Sequence, residues 1–300
     1  MNGDQRYYGG FLDQVEAFDH QLFAISDAEA QHCSPPLRQM LEVAWLTFES
    51  AGYNSDALAR FQQDDTQAIG VFIGSMYNPS SLREDPAAQA AIKANVTDWQ
   101  LPNRISHAFD LKGPSLAVNS ACASSMSAIH LACQSLLQGE CAMAMAGGVN
   151  LILDPSRYQT LKLAKLLGSG QSSRGFGQSD GMLPGEGAGA VLLKPLAAAV
   201  ADGDRIHGVI KSTGLNHGGG KLQYSAPNTR QQARLIAQTI QRAGLQPAQI
   251  NYVEAAANGS ELGDPIEVAA LKKVFAELAP GSCALGTLKS NIGHLEAASG

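Results

Sequence analysis

The hydrophobic positions of this chain alternate between short apolar runs and stripes at 3.6-residue spacing, the pattern of strands connected by amphipathic helices. The first strong stripe, Leu37, Met40, Leu41, Ala44, Trp45 and Phe48, predicts a helix entered through Pro35-Pro36 and ended at Gly52. Ile69 to Gly74, with Val71-Phe72-Ile73 at its centre, predicts a strand. Tyr77 to Asn95, polar and Ala-rich with Pro79 and Pro86 as turn signals, predicts a surface excursion. From Ser115 to Gly139 an apolar strand turns through small residues into a second helix. Its stripe of Met126, Ile129, Cys133, Leu136 and Leu137 predicts the buried face, and Gly139 the stop.

Cys141 to Leu153 predicts a fully buried strand interrupted at Gly147-Gly148, and the Gly-rich stretch Asp180 to Leu196 ends in another. Beyond Arg205 the pattern predicts a strand through Val209-Ile210, a polar loop from Asn216 to Asn228 and a helix to Ala243. A strand, INYVEA, and a helix, IEVAALKKVFAEL, follow. Asp264, Pro265 and Glu267 read as the N-cap, first and third positions of that last helix. The whole is an α/β protein with mainly parallel strands and helices on the sheet faces.

At 300 residues and 45% hydrophobic content the chain can bury a large core. At about 150 residues per domain its length predicts two lobes or one large domain. A diffuse net charge of −6, with no basic run and no long apolar segment, argues against nucleic-acid and membrane partners. The opening MNGDQRYYGG has neither the basic nor the apolar region of a secretory signal, and the five cysteines show no paired spacing, which fits a reducing cytoplasm. No cluster of His, Cys and Asp has metal-ligand spacing, and the Gly-rich stretch lacks the order of a phosphate loop, so neither metal nor nucleotide is expected.

Candidate chemistry begins at Cys122, at the turn into the second helix. Backbone N–H groups and the positive end of a helix dipole favour a thiolate there, and Ala121, Ala123, Ser124 and Ser125 are too small to block an approaching acyl group. A buried, inert cysteine fits the same turn, and residue type alone leaves the two open. Cys33, Cys133, Cys141 and Cys283 lie in or beside apolar stretches and read as packing.

Four motifs in order, VNSACASSMSAIHLA, GEGAGAVLLKPL, LGDPIEVAAL and LKSNIGHLEAASG, make the chain resemble the β-ketoacyl synthase (ketosynthase) domains of modular polyketide synthases. The segment GGFLDQVEAFDHQLFAIS extends the likeness towards the start, and NHGGGKLQYSAPNTRQQA is similar to ketosynthases served by free-standing acyltransferases. The resemblance implies a thiolase-like layered α-β-α-β-α architecture in a homodimer. The half with the nucleophile would occupy residues 1–200, and 201–300 would begin the second half. It further implies acyl carrier protein and adjacent polyketide synthase domains as partners. No cofactor would be bound directly, the acyl group arriving on the phosphopantetheine arm of the carrier.

By the same resemblance Cys122 is the nucleophile and His294 the second catalytic histidine, with Lys289 and Glu296 as a charged pair supporting its surroundings. The family's first histidine stands in a VEAHGTGT segment. Here that segment reads VEAAANGS, with Ala256 at the histidine position and Ala257, Asn258 and Ser260 altering the loop. Relative to a whole ketosynthase the chain is expected to lack a first apolar strand and a C-terminal part bearing a GFGGTNAH-like oxyanion segment. The expected activity is acyl transfer onto Cys122 without elongation. The alternatives are a condensing synthase that tolerates the missing imidazole, and a non-catalytic dimerisation and carrier-docking scaffold.

Overall fold

The apolar run at Ile69–Gly74 becomes an inner strand of a four-stranded sheet in the computed structural model, which describes residues 6–64, 67–76, 97–219 and 226–300. The excursion expected at Tyr77 to Asn95, and part of the Asn216 to Asn228 loop, lie outside the described residues. In chain order the elements begin α1 (Pro35–Ser50), α2 (Ser55–Phe61), β1 (Ile69–Gly74), α3 (Gln100–Ala108), β2 (Ser115–Val118) and α4 (Ser124–Gln138). There follow β3 (Met143–Asn150), α5 (Ser156–Leu163), β4 (Gly187–Leu193), α6 (Leu196–Asp202), α7 (Thr229–Arg242), β5 (Tyr252–Glu254), α8 (Gly263–Val274) and β6 (Ala284–Gly286). They form two compact units. One comprises Phe11–Asp154, Glu186–Val209 and Leu295–Gly300, and the other Met1–Gly10, Pro155–Gly185 and Ile210–His294.

In the first unit the strand order is β2-β1-β3-β4, with β1 parallel to both neighbours and β4 antiparallel to β3. Alternation along β1 divides its side chains between two cores. Val71 and Ile73 join Leu37, Met40, Leu41, Ala44 and Phe48 of α1, whereas Phe72 joins Val118, Ala128, Ala132, Ala144 and Ala146 beneath α4. Trp45, on the predicted stripe, is half-buried and meets Phe23 edge-on. Lys194, 8% exposed, ties the start of α6 to the α1–α2 connection: its Nζ donates to Tyr53 Oη at 2.9 Å, to Asp204 Oδ2 at 2.7 Å and to Asp202.

Three expectations are corrected here. The face of α4 set against the sheet takes only part of the large-residue stripe, Ile129 and Leu136 packing against the core. Ser124, Ser125, Ser127, Ala128, Ala132 and Ser135 are buried, while Met126 is 49% and Leu137 81% exposed. The sheet takes small side chains because its strands approach the helix closely: a Cβ added to Gly74 would lie 2.6 Å from Ser125 N, and one on Gly148 3.0 Å from Ser125 Cβ. Second, β3 runs unbroken through Gly147-Gly148, all eight residues buried. A Cβ at Gly147 would stand 2.3 Å from Gly189 O, so the glycine admits β4 and interrupts nothing. Third, β4 is an antiparallel strand with alternating exposure and is not fully buried, Val191 being 43% exposed.

The second unit holds the parallel pair β5–β6 and the packed helices α7 and α8. The strand expected at Val209-Ile210, where the two units meet in sequence, is not formed: both residues are about half exposed and no described strand ladders with them. Asp264 is not the N-cap of α8. Leu262 occupies that position and Asp264 lies in the first turn, its carboxylate turned to other segments.

Candidate active site

The first unit carries the Cys122 turn. β2 delivers the chain to Asn119, and within five residues it reverses into α4 through Ala121, which adopts a left-handed φ of 54°. An alanine there costs roughly 1–2 kcal/mol, so the turn needs outside restraint. Its serines supply much of it. Ser124 Oγ accepts from Ser120 N at 3.0 Å and donates to Ala121 O, and Ser120 Oγ meets Ser127 Oγ at 2.7 Å. Ala123 N donates to Ser120 O at 3.2 Å and Ser124 N to Ala121 O at 3.1 Å. The Cys122 thiol, in no disulfide, is exposed at the crest of this turn, one residue before an N-cap, Ala123, that provides no side-chain cap. Its exposure sets it apart from a buried packing cysteine. Cys33 and Cys141 are buried, with burial raising their thiol pKa values, as packing residues should be.

The second unit carries His294, Lys289 and Ala256. His294 is 2% exposed; its N–H donates to Leu183 O at 2.7 Å and its carbonyl accepts from Gly185 N at 2.9 Å, so strand-like bonds to Leu183–Gly185 fix its backbone. Burial, reinforced by the positive charges of Lys289 and Arg157, pushes its imidazole down to a pKa of about 4. At neutral pH it is the uncharged ring, with one donor and one acceptor nitrogen. Lys289 opens a one-turn helix, Lys289–Ile292, whose preceding Leu288 N–H is held by Glu254 Oε1 at 2.6 Å. The Tyr252 hydroxyl, that N–H and the Lys289 charge together hold the Glu254 carboxyl below its usual range. Glu296, named with Lys289 in the sequence reading, lies in the first unit, 1% exposed and at a positive φ of 45°.

The loop after β5 is gripped through its backbone alone. Glu267 of α8 accepts from Ala256 N at 2.7 Å and Ala257 N at 2.8 Å; Asp264 accepts from Gly259 N at 3.1 Å and Ser260 N at 3.2 Å. Asp264 Oδ2 also accepts from Phe176 N at 3.0 Å, joining the loop to residues 175–177. Ala256 points an exposed methyl outward from this frame. The side chains fit less well than the backbone: Ala257 sits at a φ of 34°, and Asn258 Oδ1 is buried with no hydrogen-bond partner among the described residues. Asp264 and Glu267 were legible in the sequence only as helix-start residues. A cleft of about 860 Å³ opens beside them, lined in part by Ser169, Arg174, Ser179 and Glu261.

Residues 2–199 match the family model described as β-ketoacyl synthase, N-terminal domain, and residues 207–300 the corresponding C-terminal domain. Polyketide synthase PksR of Bacillus subtilis (strain 168) is 52% identical over 299 residues, covering 99% of this chain and 12% of that protein. Polyketide synthase PksL of the same organism is 43% identical, over 98% of this chain and 7% of its own length. Among solved structures, an oxazolomycin ketosynthase domain of Streptomyces albus JA3453 superposes with a TM-score of 0.89 at 39% identity. The ketosynthase from module 6 of the bacillaene synthase of Bacillus subtilis 168 does so with a TM-score of 0.84 at 36% identity. This chain spans half the length of each of those two structures.

Proposed function

The chain belongs to the β-ketoacyl synthase family and has its thiolase-like α/β fold, and on that premise we propose that it takes an acyl chain from an acyl carrier protein onto Cys122 and passes it on without elongation. Its setting is a polyketide synthase, with adjacent synthase and carrier domains as partners and a second copy completing a homodimer. Support for that setting comes from relatives that are large polyketide synthases.

The chemistry of loading asks little. The Cys122 thiolate attacks the carbonyl carbon of the carrier-bound thioester; the new C–S bond forms, the tetrahedral oxyanion collapses, and the pantetheine sulfur leaves and takes up the proton the thiol has lost. Backbone donors at a helix start suffice to stabilise such an oxyanion in part. The reverse sequence hands the acyl group on. Condensation asks more, because decarboxylating an extender unit builds negative charge on its thioester oxygen. The observation that carries the non-elongating reading is Ala256: the frame that would present a side chain at this position is intact, and what it presents is a methyl group. Losing one donor of this kind costs roughly 10²–10³ in rate.

His294, neutral and backbone-fixed, supports a second reading in which one imidazole sustains slow condensation. A pure scaffold is disfavoured by the exposed thiol of Cys122. The test is to incubate the full-length protein with an acyl-cysteamine thioester and locate the adduct by intact-mass and peptide analysis, then add malonyl carrier protein. An adduct on Cys122, abolished by Cys122→Ser and giving no β-ketoacyl product, is expected. An extended chain formed at ~1–10³ s⁻¹ would establish the condensing reading instead.

A further inference from the structure

We infer that Ser299 is a positioning residue for the nucleophile, holding the peptide unit that follows Cys122 so that the thiol keeps its aim. The inference rests on the acyl-transfer reading of Cys122 given above. Ser299 Oγ donates to Cys122 O at 3.0 Å across 177 positions of sequence, within one unit. At the other end of the same peptide, Ala123 N donates to Ser120 O at 3.2 Å. The plane is thus fixed at both its polar atoms, and with it the ψ of Cys122. Released at the carbonyl, the plane can rock, and the left-handed strain at Ala121 next door supplies a reason for it to do so.

Ser299 is itself placed in advance. The single turn Glu296–Ala298 packs on β3, Ser299 N donates back to Glu296 O at 3.0 Å, and Gly300 N donates to Ser125 Oγ at 2.8 Å. Two successive residues therefore grip the first turn of α4, one at the nucleophile's carbonyl and one at a buried serine. The approach is close, since a Cβ on Gly300 would fall 2.8 Å from the backbone nitrogen of Met126 and 2.5 Å from Ser125 Oγ. A hydroxyl fixed this way spends little entropy in making its bond, so the bond can act on Cys122 instead of merely following it.

The experiment compares Ser299→Ala and Ser299→Thr with wild type in the full-length protein. Two rates are measured at Cys122: acylation by an acyl-cysteamine thioester over a range of concentrations, and alkylation by iodoacetamide. Loss of one hydrogen bond acting on geometry predicts a roughly 5–10-fold fall in the maximal acylation rate of Ser299→Ala. The half-saturating thioester concentration should be unchanged and the rate restored in Ser299→Thr. Alkylation, which needs no acyl-transfer activity, should fall and recover in parallel. Should wild type fail to acylate while alkylation still follows the hydroxyl, the acyl-transfer reading fails and the positioning role stands. Wild-type rates of both reactions in Ser299→Ala, or a Ser299→Thr variant no better than Ser299→Ala, would overturn the inference.

Discussion

Ala257 carries the Cβ that Gly175 lacks: a methyl built on Gly175 would stand 3.0 Å from Ala257 Cβ, 2.8 Å from Ala257 O and 2.7 Å from Thr287 Cγ2. The loop after β5 and the segment before Phe176 thus share one small volume. Gly175→Ala should destabilise the protein by ~2 kcal/mol through overpacking. Ala257→Gly relieves about 1–2 kcal/mol of left-handed strain, yet forfeits ~0.8 kcal/mol of methyl burial and ~0.4–1 kcal/mol of unfolded-state restriction, so it should be close to neutral. In a double-mutant cycle read by urea denaturation, Ala257→Gly should recover part of the Gly175→Ala loss. Strict additivity would show that the two positions do not meet.

Removing the carboxylate at Asp264 strips the acceptor from three backbone N–H groups, those of Phe176, Gly259 and Ser260. Asp264→Ala is expected to cost ~2–4 kcal/mol, and Asp264→Asn, which keeps one acceptor oxygen, about half as much. Glu267→Gln presents an amide donor where Ala256 N or Ala257 N also donates, and should speed proteolysis within residues 255–262. Protection there equal to wild type would refute the backbone grip.

His294 gives the protein an acid liability. Its folded pKa of about 4 lies below the ordinary 6.5, so the unfolded chain binds the proton more readily. Stability from this group is full above pH ~6.5 and falls as pH drops towards 4, by an amount on the order of 3 kcal/mol. The urea midpoint should decline over that window in wild type and decline less in His294→Asn. Identical slopes would place the acid sensitivity elsewhere.

Lys194 is the charge that closes the α6 end of the first unit. Burial pulls its pKa down, but hydrogen bonds to Asp202, Asp204 and Tyr53 outweigh that and raise it above the ordinary 10.5. Lys194→Met leaves Asp204, only 20% exposed, without its ammonium partner and should cost ~2–3 kcal/mol in thermal or urea unfolding. A loss below about 0.5 kcal/mol, the scale of exposed ion pairs, would assign the cluster to the surface.

Where large side chains faced a single core, the fold could be read from sequence. The α1 stripe is an example, because burial there follows hydropathy, and β1, buried on both faces, was legible as a continuous apolar run. Gly139 marked the end of α4 through a left-handed φ of 73° that glycine accepts readily. The seat of α4 was legible only in Ile129 and Leu136, for the opposite reason. Its tightest contacts are made by serine and alanine over glycine, residues whose pattern carries no hydropathy, while Met126 and Leu137 point outward. Cys122 and Ala256 stood out through their motifs, but Ser299 gave no signal, its partner lying 177 positions away, and Asp264 signalled only a helix start, its bond to Phe176 N reaching across 88 positions. A strand such as Val209-Ile210 is made by its neighbours, and apolar runs alone do not supply one.

The hold of Asp264 and Glu267 on the loop after β5 is blind to what the loop displays, since it reads only amide hydrogens. Substitutions at position 256 can therefore come and go without loosening the backbone grip, because neither carboxylate bonds to the side chain there. The side chain at position 256 is thus a replaceable attachment on a fixed backbone mount, while Cys122, on a separate turn, is held by a different set of bonds.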